Sequence, residues 1–468
     1  MVNTSRRRAL KLAATAGTLG LAGCAGNGNG GNGNGNGNGN GNGGNGNGNG
    51  NGNGDTVGDG DDGGEEAIVI GTNYPISGGL AELGQDARAG VEIWAEEMNA
   101  NGGIDGREIE LVHKDAPNAD AGVSNVQELA EQEDADAIVG SFSSSIAAAS
   151  TEASTRYDII YWETNGFAPS ISEPGYQNVF HPNARTTNYG QEGGAIMENI
   201  VAPGLETEVP ELDVALLWEN GEFGAATRDE MQNFAEDLGF NIVESIGYAA
   251  FEINDFSSQI EQLRQAEPDV LYHSGYDNDT QLFWSQAADL DLYIPAVIGN
   301  GTAYVNTAFR DAVSEETARG IINVDQPHFN ANPDWSPGVA DILSAYREMF
   351  GEDPNTQLMN TSYSVMQIFA EAAANADSFA PADFQQAVLD IDWEIGTLAN
   401  GWGANFDEEY NRNNALVVQG TQWQPDEYTD DIFHPEQDDG TLDVYSVYPE
   451  ESRLPFIEPM DIPGPDYT

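Results

Sequence analysis

From Ala67 onward, short apolar runs alternate with segments of helical spacing, and this alternation leaves few folds open. The run Ala67-Ile68-Val69-Ile70-Gly71 reads as a strand closed by glycine. Residues 83–100 follow with Val91, Trp94, Ala95 and Met98 at helical spacing, and Asn101-Gly102-Gly103 supplies a helix C-cap. Further strands are expected over 108–113, 137–139 and 157–161, with helices over 121–130 and after the serines 143–145. The pattern then repeats, with strands over 214–218, 241–248, 270–272 and 296–298 and helices over 224–238, 256–265 and 280–290. Strand–helix alternation builds a parallel, doubly wound sheet. Two such series, in about 400 residues, predict two α/β lobes with a cleft between them. Ligands bind such sheets outside the carboxyl ends of the strands, so the loops that follow strands are the informative ones.

One of those loops stands out. In Asp136-Ala137-Ile138-Val139-Gly140-Ser141-Phe142-Ser143-Ser144-Ser145 a short apolar strand ends at Gly140, and the serines lead into Ile146-Ala147-Ala148-Ala149, an alanine-rich helix start. A strand end, a glycine turn, hydroxyls and the free N–H groups of a helix N-terminus suit an anion, because the helix dipole favours negative charge there. The same serines also suit plain helix capping, and both readings stay open.

The start of the chain has a different character. Thr4-Ser5-Arg6-Arg7-Arg8-Ala9-Leu10-Lys11 is basic, and the apolar residues 12–22 that follow are too few for a membrane span, which needs ~20. Ser-Arg-Arg-x-x-Leu-Lys resembles a twin-arginine export signal, with Ala9 where Phe is commoner. Leu21-Ala22-Gly23-Cys24 resembles a lipobox, whose cysteine becomes the lipidated first residue of the mature chain. Residues 1–24 are therefore expected to be a leader, Cys24 the lipidation site, and the protein lipid-anchored on the extracellular face of the cell membrane. Cys24 is the only cysteine, so no intramolecular disulfide forms. Residues 25–66, mostly Gly-Asn repeat ending in an acidic patch, cannot bury a core and are expected to be a disordered tether. Its r.m.s. reach is roughly 35 Å.

The formal charge is −62. The leader holds four of the 16 basic residues and no acidic ones, so 12 basic face 78 acidic side chains beyond it. This excludes nucleic acid as a partner, which requires basic patches. It also argues against adhesion to anionic headgroups, leaving the lipid anchor as the membrane contact. The acidity is spread through the folded region rather than gathered in a tail. It predicts a protein of multimolar salt, where screening shrinks to ~3 Å, and a halophilic archaeon as its source. His113, His181, His273, His328 and His434 form no His-x-x-x-His pair and accompany no Gly-x-Ser-x-Gly elbow. No metal-ligand cluster and no glycine-rich phosphate loop mark the folded region, so no enzyme activity, cofactor or metal is expected.

Several stretches together resemble the branched-chain amino acid and amide binding proteins of ABC importers. They are Gly71-Thr72 with Ile76-Ser77-Gly78, Asn99-Ala100-Asn101-Gly102-Gly103-Ile104-Asp105-Gly106, the Gly140 to Ser145 loop, Gly275-Tyr276 and residues 402–419. The likeness covers nearly all of 67–449, and Asn-x-x-Gly-Gly-Ile-x-Gly is its most specific piece. It implies a type I periplasmic-binding fold, α/β with two doubly wound parallel-sheet lobes joined by three crossovers. These are expected near 182–186, 322–327 and 391–396. Lobe one is then 67–185 with 325–393, including helices over 336–350 and 358–376, and lobe two is 186–324 with 394–468.

The resemblance also implies a function: capture of a small amino acid, amide or related organic ligand by lobe closure, and its delivery to ABC permease subunits, by a monomer. Carried onto this chain, Ser144, with Ser143 and Ser145 beside it, takes the ligand carboxylate. Asn165, Gly166 and Phe167 form the next lobe-one loop, with Phe167 near where a Thr is often found. Phe223 opens the first lobe-two helix, and Tyr276 and Asn300 follow lobe-two strands. Leu83 stands where leucine-binding members have an aromatic. Amino-acid binders place a carboxylate for the ligand ammonium where this chain has Gly301. Either Asp277, Glu163 or Glu222 replaces it, or the ligand is an amide, a urea-like compound, a carboxylate or an aromatic acid. Tyr74, Trp162, Trp218 and Trp284 are expected mostly in the core. The alternatives are a ligand-sensing lipoprotein for a membrane receptor and a lipid-anchored hydrolase on the same fold.

Overall fold

A computed structural model of the chain describes residues 66–313, 315–425, 442–454 and 457–459. The leader with Cys24, nearly all of the Gly-Asn tether, and His434 lie outside the described residues.

The first strand series makes a five-stranded sheet from β1 (Ile68–Tyr74), β2 (Ile109–Asp115), β3 (Ala137–Gly140), β4 (Ile160–Glu163) and β5 (Val179–Phe180). Its order is β2-β1-β3-β4-β5 and every pair is parallel. The second series supplies β6 (Asp213–Glu219), β7 (Asn241–Tyr248), β8 (Val270–Ser274), β9 (Ala296–Asn300) and β10 (Ile321–Asp325), all parallel where they pair. Further on, β11 (Asp392–Trp393) and β12 (Ala404–Asn405) pair only with each other. Then β13 (Gln419–Pro425) and β14 (Leu442–Tyr448) add an antiparallel edge to the second sheet. That sheet runs β14-β13-β10-β9-β8-β6-β7. Strands covered by helices on both faces read as continuous apolar runs, as the fully buried β3 and the Val270-Leu271-Tyr272 start of the fully buried β8 do. The edge strand β7 alternates instead.

Helix Ala81–Ala100 packs on helix Leu358–Asn375, with Trp94 edge-on to Phe369 at 6.1 Å. Trp162 sits at the centre of lobe one, its ring within 6.2 Å of Phe180, Phe369, Phe384 and Phe406. Such rings bury ~150–250 Å² each, which makes this the anchor of the lobe. Tyr74 and Trp284 are also core residues, whereas Trp218 is half-buried with the Arg228 guanidinium 4.4 Å over its ring.

Two expected boundaries move in ways that affect the site. The strand expected over 157–161 runs Ile160–Glu163, so a glutamate stands at its carboxyl end. The third crossover, expected at 391–396, falls later. There the chain makes the short β11–β12 pair, and it stays on lobe one: Ala399 N donates to Gln367 Oε1 at 3.0 Å, and Asn413 Nδ2 to Pro182 O at 3.2 Å. It joins the second sheet only at Gln419. A two-residue strand carries no periodicity, so only its pairing locates it. Among the described residues, no helix is long and apolar enough to cross a membrane.

Candidate functional site

Five strands end around one small cavity. Its lining is Phe142 and Ser144 after β3, Asn165 and Phe167 after β4, Phe223 after β6, Gly275 and Tyr276 after β8, and Gly301 and Thr302 after β9. Each lobe thus contributes its strand-end loops. The rings meet across the cleft, Phe167 to Phe223 at 5.8 Å and Phe223 to Tyr276 at 5.8 Å between centroids. The Tyr276 hydroxyl faces the Ser143 side chain of the opposite lobe. Glu222 N donates to Ser145 Oγ at 3.4 Å, and Ser170 Oγ donates to Glu222 Oε2 at 2.8 Å. The lobes are therefore closed on each other. The cavity left is about 20 Å³, room for about one water. A molecule of amino-acid size enters only when the lobes part. A larger hollow of about 690 Å³ lies elsewhere, an open groove on lobe one lined by Thr155, Tyr176 and Pro381 among others, with no strand-end loop of the cleft in it.

The lobe-one wall is built on Glu163. Its carboxylate, wholly buried, accepts N–H groups from Ser141 at 2.7 Å, Phe142 at 3.3 Å, Asn165 at 3.0 Å and Gly166 at 2.8 Å. One side chain thereby ties the serine loop to the Asn165 loop. Burial pushes its carboxyl up to about 7, against the pull of those four donors. The ties also hold Phe142 at φ 75°, a strained conformation for a bulky residue, so that its ring lines the cavity. Ser144 Oγ accepts from Phe167 N at 3.1 Å and Ala168 N at 3.2 Å, which leaves its own proton to donate. Asn165 donates to Thr164 Oγ1 at 3.0 Å and Ser362 Oγ at 2.6 Å, and its buried Oδ1 has no partner.

The lobe-two wall is braced by a chain. Trp284 Nε1 donates to Tyr304 OH at 3.0 Å, and Tyr304 OH bonds His273 Nδ1. His273 Nε2 bonds Tyr248 OH at 3.2 Å, and Tyr248 OH donates to Asp279 Oδ2 at 2.5 Å. Burial lowers His273 to about 3, so it is neutral, and indole can only donate. The direction is then set: Tyr304 donates to Nδ1, and Nε2–H donates to Tyr248. Asp279 Oδ2 also accepts Tyr276 N at 3.1 Å, which fixes the cavity tyrosine. Beside it Glu219 accepts Gly221 N and Gly224 N, each at 2.6 Å, at the start of helix Glu222–Leu238.

Of the residues expected at the site, Ser144, Asn165, Phe167, Phe223 and Tyr276 line the cavity. Ser145 joins the lobes beside it, and Ser143 faces the Tyr276 hydroxyl. Gly166 lies behind the wall, donating to Glu163 and accepting from His181 and Asn183. Leu83 is in the core, and Asn300 turns to Tyr272 OH at 3.0 Å. Neither lines the cavity. The three acids offered as replacements for the missing carboxylate do not line it either: Glu163 holds the loops, Glu222 faces Ser170, and Asp277 accepts Asn306 Nδ2 at 2.9 Å. Gly301, at φ 95°, has the Phe223 ring above it, and a Cβ there would stand 3.2 Å from Phe223 Cζ. Phe142, Gly275 and Thr302 also line the cavity and were not singled out as ligand contacts. Their place in post-strand loops was the available signal.

A family model described as periplasmic binding protein matches residues 67–423. Leu/Ile/Val-binding protein homolog 7 of Brucella abortus is 31% identical over 393 residues, 83% of this chain and 94% of the relative. The chain belongs to the periplasmic binding protein family. Leu/Ile/Val-binding protein homolog 8 of the same organism is 28% identical over 387 residues, 83% of this chain and 92% of the relative. Among solved structures, a periplasmic binding protein type 1 from Bordetella pertussis superposes with TM-score 0.68 at 20% identity, over 81% of this chain and 100% of that one. The branched-chain amino acid transporter substrate binding protein LivJ from Streptococcus pneumoniae, in complex with isoleucine, does so with TM-score 0.65 at 20% identity, over 82% of this chain and 100% of that one. At this identity the superpositions establish the type I two-lobed α/β fold.

Proposed function

We propose that this binding protein captures a small organic molecule between its lobes and presents it to the permease of an ABC importer. The observation that carries the reading is the cavity itself, lined by strand-end loops of both lobes and by four rings, Phe142, Phe167, Phe223 and Tyr276. Such a site is completed only on closure, so ligand and closed form stabilise each other. Relatives named for leucine, isoleucine and valine support solutes of that size. Ser144 anchors the polar head, Asn165 adds an amide contact, and the rings enclose the rest. Closure brings the two lobe surfaces into the relation that a permease reads. The leader motifs support a lipid anchor at Cys24 with the Gly-Asn tether between anchor and lobes, and the acidity supports a multimolar-salt milieu. Ser144→Ala combined with Tyr276→Ala should weaken binding more than tenfold in calorimetric titration at high salt. Unchanged affinity would place the site elsewhere. Cys24→Ala should release the protein from the membrane, and dialysis to low salt should abolish its near-UV circular dichroism.

A further inference from the structure

We propose that the ligand is an organic carboxylate that bears no ammonium group, with a branched or aromatic apolar body. The proposal rests on the reading of the cleft as the binding site and names the class of ligand it takes. Among the described residues, no charged side chain lines the cavity. No acid close to it reaches its lining. Glu163 accepts four backbone N–H groups, and Glu219 accepts two. Asp279 accepts Tyr248 OH and Tyr276 N through Oδ2, its buried Oδ1 has no partner, and it does not line the cavity; Glu222 accepts Ser170 Oγ at the edge of the cleft. Asp277 has one unpartnered oxygen, but it does not line the cavity, and its charged neighbours are Glu82, Asp279 and Asp86. An ammonium enclosed here would lose its water and gain no counter-charge.

What the cavity does offer is donors. The Ser144 hydroxyl, with both acceptor positions filled by Phe167 N and Ala168 N, can only donate further. It opens helix Ser144–Ser154, whose first N–H groups have no partner within the helix and whose dipole favours an anion. The Thr302 hydroxyl lies on the opposite lobe. One lining atom has the opposite demand: Asn165 Oδ1, on a residue 1% exposed, is an acceptor without a partner. A neutral hydroxyl beside the carboxylate would satisfy it. Four rings complete an apolar enclosure for the rest of the molecule.

The test compares molecules that differ only in this group: 2-hydroxy-4-methylpentanoate against leucine, and 3-phenyllactate against phenylalanine, with isovaleramide as the uncharged case. Each is titrated calorimetrically into the full chain at high salt. At least one hydroxy acid should bind ten times or more tighter than its amino acid, and Asp277→Asn should leave that ratio unchanged. An amino acid that binds as well as its hydroxy acid, or a ratio that moves tenfold in Asp277→Asn, overturns the proposal and leaves the binding reading intact. So does isovaleramide binding more tightly than either hydroxy acid. Failure of all five compounds to bind at millimolar concentration overturns both.

Discussion

The two lobes brace the same cavity by opposite means. In lobe one a single buried carboxylate, Glu163, accepts four backbone N–H groups and joins two loops at one point. In lobe two the bracing is spread along Trp284, Tyr304, His273, Tyr248 and Asp279, each bonded to the next, and reaches Tyr276 only at the end. A convergent support is rigid and fails at once when its centre is removed. A serial support loses one link at a time. The serine loop, with its strained Phe142, sits on the first kind, and the closing tyrosine sits on the second.

The largest expected effect follows from removing the convergent centre. Glu163→Ala strands four buried donors and should lower the unfolding free energy by on the order of 4 kcal/mol, read in urea melts at high salt. A loss under about 1 kcal/mol would mean that water replaces the carboxylate and that the lobes do not differ in this way. Next comes Tyr248→Phe, which leaves Asp279 and His273 each short of a partner and should cost about 2 kcal/mol. Trp284→Phe removes the first donor of the chain and part of a core ring and should cost about 1.5 kcal/mol, with ligand affinity unchanged. Ser170→Ala breaks an exposed contact between the lobes and should cost about 0.5 kcal/mol of closure, seen as a small loss of ligand affinity.

The dependence on pH separates the two supports further. Burial pushes Glu163, Asp86 and Asp325 up to about 7 and Asp279 to about 6. In the unfolded chain such groups titrate near ~4, so the folded state holds the extra protons between the two values. Stability from these groups is therefore full below about pH 4 and falls as pH rises through 6 to 7. The like-charge repulsion of an acidic chain acts in the same direction. Glu163→Gln should flatten the fall near pH 7, whereas Asp279→Asn should flatten it near pH 6. Identical profiles in the two variants would remove the distinction.

Much of the architecture was legible in advance because strand and helix periodicities are local. The run 241–248 is a strand at the bounds its apolar pattern implied, and the alternation of short strands and helices is present in both sheets. The residues of the cavity were legible where they follow strand ends, as Ser144, Asn165 and Tyr276 do. Leu83, in the first turn of helix Ala81–Ala100, and Asn300, the last residue of β9, adjoin such loops yet face core partners, because nearness to a loop does not fix the direction of a side chain. Glu163 shows the limit most clearly. In a chain with 78 acidic residues no spacing distinguishes it, and the sequence offers it only as one of three candidate partners for a ligand ammonium. Its tie to Ser141, 22 residues away in the chain, exists only once β3 and β4 lie side by side.

By itself the sequence determined the α/β class, the two strand–helix series, the acidic character and the absence of an intramolecular disulfide, since each depends on composition or on a period of a few residues. The tertiary structure alone decided which loops share a cavity, that its lining is uncharged, and where the chain last crosses between lobes. Those properties depend on contacts between residues distant in the chain, whose partners no local pattern names.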